Sequence, residues 1–301
     1  MVAAASDRVK FDIDGLDAVL MGGLVRHNNV LLEGPAGAGK TTLALSFLHA
    51  GAVTFDEPGL LISFEMTPDK MLRDARGFGW DFEQLAQRGK VKLIETTPAV
   101  LLTDVRVEDG VLAHELRSLG AKRLVIDGLS PLRLASELSP ARSYRHTLHQ
   151  LVDSLSRLGI TTLVTGESDG ASGAQLVHER YLFDTVIALR RSPARASHRT
   201  LEVIKSRGHD FVTGEPTLRH ESGRGVAVYQ RAASRGYRAP TQLSSTLETF
   251  GSKSIDELFG GGVYSGSITM ISGIAGTGKT VAGLQFLTAG AELGQTGLLV
   301  S

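Results

Sequence analysis

The stretch Gly34-Pro35-Ala36-Gly37-Ala38-Gly39-Lys40-Thr41 constrains this chain more than any other, because it fits G-x-x-x-x-G-K-[ST] at every fixed position. Its context is the one such a loop requires. The apolar run Val30-Leu31-Leu32 enters it as a buried strand would, and Thr42 to Ala50, with Leu43, Leu45, Phe47 and Leu48, leaves it as a helix. Glycines let successive N–H groups turn inward, and the helix N-terminus adds partial positive charge where a polyphosphate would sit. Gly34, Gly37, Ala38, Gly39, Lys40, Thr41 and Thr42 are therefore expected to cradle phosphates, with Lys40 as a point charge and the Thr41 hydroxyl as a Mg²⁺ ligand.

The loop occurs twice. Asp17, Gly22, Gly23, Gly34, Gly39, Lys40 and Thr41 recur as Asp256, Gly261, Gly262, Gly273, Gly278, Lys279 and Thr280, all at one offset (273 − 34 = 239). A tandem duplication is the simplest account. The second loop brings Gly273, Gly276, Thr277, Gly278, Lys279 and Thr280 as candidate nucleotide contacts, Thr280 also as a metal ligand. After one deletion Gly297 to Ser301 matches Gly59 to Ser63, so the second copy holds only the opening part of the module. We expect a complete domain over residues 1–235, a linker over 236–246 in the aperiodic stretch around Arg235, Gly236 and Pro240, and a partial domain over 247–301.

Strand-like runs at Val30–Leu32, Leu60–Phe64, Val91–Ile94, Leu124–Ile126 and Thr161–Val164 alternate with helical patterns, which predicts an α/β fold with a mostly parallel sheet flanked by helices. Thr67-Pro68-Asp69 reads as a helix start. Helical spacing over Glu108–Leu119 and Ser143–Leu158 ends at Gly120 and Gly159, where C-terminal glycines belong. Asp184–Leu189, Thr200–Ile204 and Gly225–Tyr229 read as strands of an antiparallel extension.

Ligands of open α/β sheets bind at the carboxyl ends of the strands. Asp127, ending Leu124-Val125-Ile126, is the expected second anchor of Mg²⁺, and Glu65, after Leu61-Ile62-Ser63-Phe64, is placed to polarise an attacking water. Arg190, Arg191, Arg195, His198 and Arg199 crowd one hairpin, which reads as a solvated tip; Phe78 and Trp80 read as packing residues. Lys plus Arg and Asp plus Glu number 32 each, so charge does not point to nucleic acid, and the absence of cysteine excludes disulfides and cysteine-bound zinc. Met1 to Ala5 lack the pattern of a signal peptide and no apolar run approaches a membrane span, so a cytoplasmic location without membrane contact is expected.

Together these residues resemble the KaiC family of RecA-like P-loop ATPases. The resemblance rests on the two phosphate loops, Ser63-Phe64-Glu65 followed by Thr67-Pro68, Ala75-Arg76-Gly77-Phe78-Gly79-Trp80, Val125-Ile126-Asp127, Glu202-Val203-Ile204-Lys205-Ser206-Arg207-Gly208, and Phe259-Gly260-Gly261-Gly262. It implies Mg²⁺-dependent ATP hydrolysis in a homo-oligomeric, hexameric ring with ATP at subunit boundaries and regulatory protein partners, as in circadian clock proteins. It further implies that Lys205 and Arg207 contact the nucleotide of a neighbouring subunit. Family members carry two adjacent glutamates where this chain has Glu65 followed by Met66, so the water-activating role passes to Glu65 alone. By positional analogy Glu167 would sense the terminal phosphate. Two other outputs fit the resemblance: a serine/threonine autokinase, whose sites would lie beyond the second loop, and a DNA recombination motor, which the balanced charge disfavours.

Overall fold

The computed structural model describes residues 8–107, 109–137, 144–168, 176–191, 199–221, 225–230 and 245–300. The chain divides into two units, Met1–Arg235 and Gly236–Ser301. In the first, β1 (Arg8–Val9), α1 (Asp14–Val19), β2 (Leu24–Val25), β3 (Asn29–Gly34), α2 (Lys40–Val53) and β4 (Gly59–Ser63) are followed by α3 (Pro68–Arg76), α4 (Phe82–Gln87) and β5 (Val91–Glu95). Then come α5 (Pro98–Asp104), α6 (Val111–Leu119), β6 (Arg123–Asp127), α7 (Ser130–Glu137), α8 (Tyr144–Leu158) and β7 (Thr161–Glu167). The unit closes with α9 (Val177–Leu182), β8 (Thr185–Arg191), β9 (Arg199–Ser206), β10 (Thr217–Glu221) and β11 (Gly225–Tyr229).

Among the described residues nine strands form one sheet in the order β11-β10-β9-β8-β3-β7-β6-β4-β5. From β5 to β8 neighbours run parallel, and β8 to β11 pair antiparallel. This is the α/β, RecA-like P-loop architecture expected, extension included. The parallel strands read as unbroken apolar runs because both faces are covered. Successive side chains point to opposite faces. Val30, Leu32, Leu61, Val125 and Leu163 thus pack with Leu43, Phe47 and Leu48 of α2 and with Met71 and Phe82. Leu31, Leu60, Ile62, Leu124, Ile126 and Val164 pack instead with Leu112 and Leu116 of α6 and Leu148, Leu151 and Leu155 of α8.

Expected boundaries shift where a specific contact intervenes. The strand expected through Phe64 ends at Ser63, whose Oγ accepts the Met66 N–H at 3.0 Å and turns the chain into a bend. Pro68 opens α3 behind an extended Thr67, whose side chain makes no cap bond. Gly120 and Gly159 take φ values of 63° and 62°, the left-handed cap conformation that favours glycine. The helix expected from Glu108 begins at Val111 behind an extended Gly110, where Asp104 accepts the N–H groups of Val111 (2.6 Å) and Leu112 (2.7 Å). Glu108 and Ser143 lie outside the described residues, as do most of the expected linker and Ser301. Strand β10 had no alternating signal, having one buried apolar residue, Leu218.

A fully buried arginine, also illegible in the sequence, closes the start of β6. Arg123 donates from Nε to Glu57 Oε2 at 2.7 Å and from Nη1 to the carbonyls of Lys10 (2.9 Å) and Phe47 (2.7 Å), with its guanidinium 4.6 Å from the Phe47 ring centroid. Glu57 also receives Arg26 at 2.7 Å. A charge this deep is tolerated because it is paired and hydrogen-bonded.

The second unit repeats the local structure of the first. It contains β12 (Leu247–Glu248), α10 (Lys253–Leu258), β13 (Val263–Tyr264) and α11 (Lys279–Glu292). Asp17 accepts the Phe11 N–H, as Asp256 accepts that of Phe250. Gly23 and Gly262 both have positive φ, and a Cβ there would meet the Val9 carbonyl at 2.6 Å and the Glu248 carbonyl at 2.3 Å. Residues 267–274 and 295–300, however, form no strand, and Ile268, Met270 and Ile274 are exposed.

Candidate functional site

Strand β3 delivers the phosphate loop at its carboxyl end, between β7 and β8. Gly37 and Gly39 have φ values of 72° and 103°, so the loop backbone adopts turns closed to other residues, and Gly39 caps α2 in the left-handed conformation. Lys40 Nζ donates to the carbonyls of Gly34 (2.8 Å) and Pro35 (3.1 Å). Burial pushes its pKa down, opposed by Glu167 first, then Asp127 and Glu65. The three acids share a cavity with the lysine, Glu167 and Asp127 from the ends of β7 and β6 and Glu65 from the bend after β4.

Asp127 is the best-defined of them. Thr41 Oγ1 donates to its Oδ2 at 3.1 Å, and Thr165 Oγ1 to its Oδ1 at 2.6 Å. Thr165, buried in β7 beside β6, carried no sequence signal: its partner is 38 residues away and only strand order brings them together. The oxygen-only set of Thr41 and Asp127 fits a hard cation completed by phosphate oxygens and water, and Thr165 orients the carboxylate from behind. Among the described residues no group of three or more His, Asp or Glu side chains could hold a metal unaided.

A cavity of about 350 Å³ is lined by Gly37, Gly39, Lys40, Thr41 and Thr42 on one side and by Glu65, Asp127, Thr165 and Glu167 on the other. Gly34 lies at the end of β3, and Ala38 is buried in the turn beneath the loop. A wider hollow of about 920 Å³ lies at the opposite ends of the strands, bounded by Arg26, Lys122, Arg157 and Gly159. It contains none of the motif residues, so the smaller cavity is the candidate site.

Two basic residues flanking the hairpin tip are engaged by the protein itself. Arg190 pairs with Glu202 at 2.6 Å, and Arg199 Nε donates to the Gly37 carbonyl at 3.3 Å, against the outside of the phosphate loop. Arg195 and His198 lie outside the described residues. His220 of β10 also lines the cavity, its ring over Gly39 and edge-on to Phe78. Burial lowers its pKa, and Arg199 lowers it further. Trp80 is buried and stacks on His49, at 5.4 Å between centroids, away from the cavity.

Lys205 and Arg207 sit elsewhere. Arg207 donates its N–H to Asp184, which in turn donates to Asn29, so this segment lies level with the start of β3 whereas the loop lies at its end. Five residues of strand, roughly 16 Å, separate the two levels. Lys205 Nζ is engaged by the carbonyls of Arg180 (2.9 Å) and Phe183 (2.6 Å), and its pKa is lowered first by burial, then by Arg207. The Arg207 side chain is 57% exposed. Within one subunit the pair does not join the cavity.

In the second unit Gly276 and Gly278 have φ values of 84° and 83°, and Lys279 Nζ donates to the Ile274 carbonyl at 2.7 Å, much as Lys40 binds its own loop. Thr277 Oγ1 turns onto the same carbonyl, at 2.8 Å, and Gly273 and Thr280 flank the turn. No helix among the described residues is long and apolar enough to cross a membrane.

A family model described as the KaiC ATPase matches residues 9–233 and 249–301. The chain is similar to the circadian clock oscillator protein KaiC of Prochlorococcus marinus subsp. pastoris, 32% identical over 291 residues, covering 93% of this chain and 56% of that protein. It is also similar to KaiC of Thermostichus vulcanus, 31% identical over 297 residues (95% and 56%), and to KaiC 1 of Synechocystis sp., 31% identical over 304 residues (97% and 57%). It spans little more than half the length of these relatives. With a doubled phosphate loop, a RecA-like sheet and a match over both modules, the chain belongs to the KaiC family of ATPases.

Proposed function

We propose that this chain is a Mg²⁺-dependent ATP hydrolase acting as a homo-oligomeric, hexameric ring that regulates partner proteins. The observation that carries the reading is the convergence of Lys40, Thr41, Asp127 and Glu65 on one cavity from the ends of three adjacent elements. Lys40 exchanges its loop carbonyls for phosphate oxygens and, with the loop N–H groups, neutralises charge as the terminal phosphoryl group leaves. Thr41 and Asp127 would hold Mg²⁺, which when bound neutralises further phosphate charge. Glu65, exposed at the mouth, orients water for in-line attack. Arg207 completes the site of a neighbouring subunit, and Lys205 holds the segment in shape from behind. This division is supported by the exposure of Arg207 and its distance from its own loop. The ring and the regulation of partners rest on the likeness to clock oscillator proteins.

Glu65→Gln tests the centre of the reading. Removing a positioned base typically costs about 10²–10⁴ in rate with nucleotide binding kept. Phosphate release at close to the parent rate would make Glu65 a bystander. Native mass spectrometry with and without Mg-ATP tests the ring, and a persistent monomer would overturn it.

A further inference from the structure

Strand β3, which ends in the phosphate loop, is tied at both ends to the segment carrying Arg207. At its start the Asn29 N–H donates to Asp184 Oδ2 at 3.0 Å, and Asp184 accepts the Arg207 N–H on its carbonyl at 2.9 Å and lies 3.4 Å from the Arg207 guanidinium through Oδ1. At its end Glu33, 1% exposed, is gripped by Arg180 of α9 with two prongs, Nε to Oε2 at 2.9 Å and Nη2 to Oε1. The carbonyls following that arginine's side chain then hold the other partners. Arg180 and Phe183 accept from Lys205 Nζ, and the Tyr181 carbonyl accepts from Arg207 Nη2 at 3.1 Å. One short helix therefore holds the loop strand by a side chain and the exposed finger by its backbone.

A buried ion pair contributes little net stability compared with apolar packing, and its better-attested use is to fix one arrangement among several. We propose that Arg180 is a positioning residue: clamped on Glu33, it fixes α9 against the loop strand and so sets the pose in which Arg207 is offered to the neighbouring subunit. This rests on the trans reading of Arg207 given above. Each loop strand thereby governs how its own chain serves the next site.

Two mixtures separate this role from that of a plain structural staple. In the first, a Lys40→Ala donor, with no working loop but an intact Arg207, is mixed with an Arg207→Ala acceptor, whose loop is intact. In the second, the donor also carries Arg180→Met. All hydrolysis arises at acceptor loops whose own Glu33 and Arg180 are unaltered, so damage to the donor loop cannot lower the reading. The first mixture is expected to recover hydrolysis. The second should recover about 10- to 100-fold less, the cost of misplacing a group by about 1 Å, while native mass spectrometry shows the donor entering mixed rings equally. Equal recovery overturns the positioning role and leaves the trans reading standing. No recovery in the first mixture overturns both. Should Arg180→Met unfold the donor, Arg180→Lys keeps the charge beside Glu33 but gives up the two-pronged geometry; recovery below that of the unmodified donor supports the role, and equal recovery overturns it.

Discussion

Replacing Thr165 by valine removes one hydroxyl from behind the proposed metal anchor and leaves everything else in place. Valine keeps the β-branch and nearly the same volume, so β7 retains its packing at a position 2% exposed. What disappears is the 2.6 Å hydrogen bond to Asp127 Oδ1, leaving Thr41, at 3.1 Å, as the carboxylate's side-chain donor among the described residues. A hydrogen bond to a charged group contributes about 1.5–3 kcal/mol. At about 1.4 kcal/mol per factor of ten, the most it could cost Mg²⁺ affinity is roughly 10- to 150-fold. Because Thr165 holds Asp127 before as well as after the ion arrives, part of that loss falls on stability. We therefore expect the Mg²⁺ concentration for half-maximal ATP hydrolysis to rise about tenfold, near the low end for partners of metal ligands. ATP binding in the absence of Mg²⁺ should change little, and Thr165→Ser should restore most of the loss. The assay is a Mg²⁺ titration of phosphate release at saturating ATP. A half-saturation within about twofold of the parent would show that Asp127 does not depend on Thr165 for its pose, or does not anchor the ion.

The first loop should carry the hydrolysis of residues 1–301, because Lys40 shares its cavity with Glu65 and Asp127. Lys40→Ala is expected to abolish steady-state hydrolysis and Lys279→Ala to leave it nearly unchanged; a comparable loss from both would mean that the second loop is catalytic or controls the first. Burial lowers the pKa of His49, His209 and His220, so each is held neutral in the folded chain more firmly than in the unfolded one. The unfolded chain then takes up protons first as pH falls below about 6.5, and stability conferred by the neutral rings is lost in that direction. Asp17, whose pKa burial raises, acts with the opposite sign but only in the carboxylate range. Thermal unfolding midpoints should therefore drop between about pH 7 and about pH 5, and His49→Phe should flatten the drop; a midpoint constant over that interval would refute the assignment.

Much of the site is legible in the sequence. The loop announces itself because glycine spacing, lysine and threonine act within eight residues, and Asp127 and Glu65 follow from the rule that chemistry gathers at strand ends. Thr165 behind Asp127, Arg199 on the loop, Arg123 on Glu57 and Arg180 on Glu33 were not legible. Their partners lie 38, 162, 66 and 147 residues away, and only the order and register of the sheet bring them within reach.

The duplication separates the two kinds of information within one molecule. Lys40–Val53 and Lys279–Glu292 are both helices of 14 residues at the same offset, and the glycines before them share positive φ. Helix and loop depend on hydrogen bonds and dihedrals a few residues apart, so the amino-acid sequence alone determines them wherever it occurs. Val30–Leu32 and its counterpart Thr269–Ile271 behave differently: the first is a central strand covered on both faces, the second forms no strand, with Met270 85% exposed. A strand's hydrogen bonds are made to other strands: β3 has β7 and β8 beside it, and Thr269–Ile271 pairs with no strand among the described residues. Tertiary structure alone thus decided that the first loop stands beside Asp127 and Glu167, which reach it from the ends of β6 and β7.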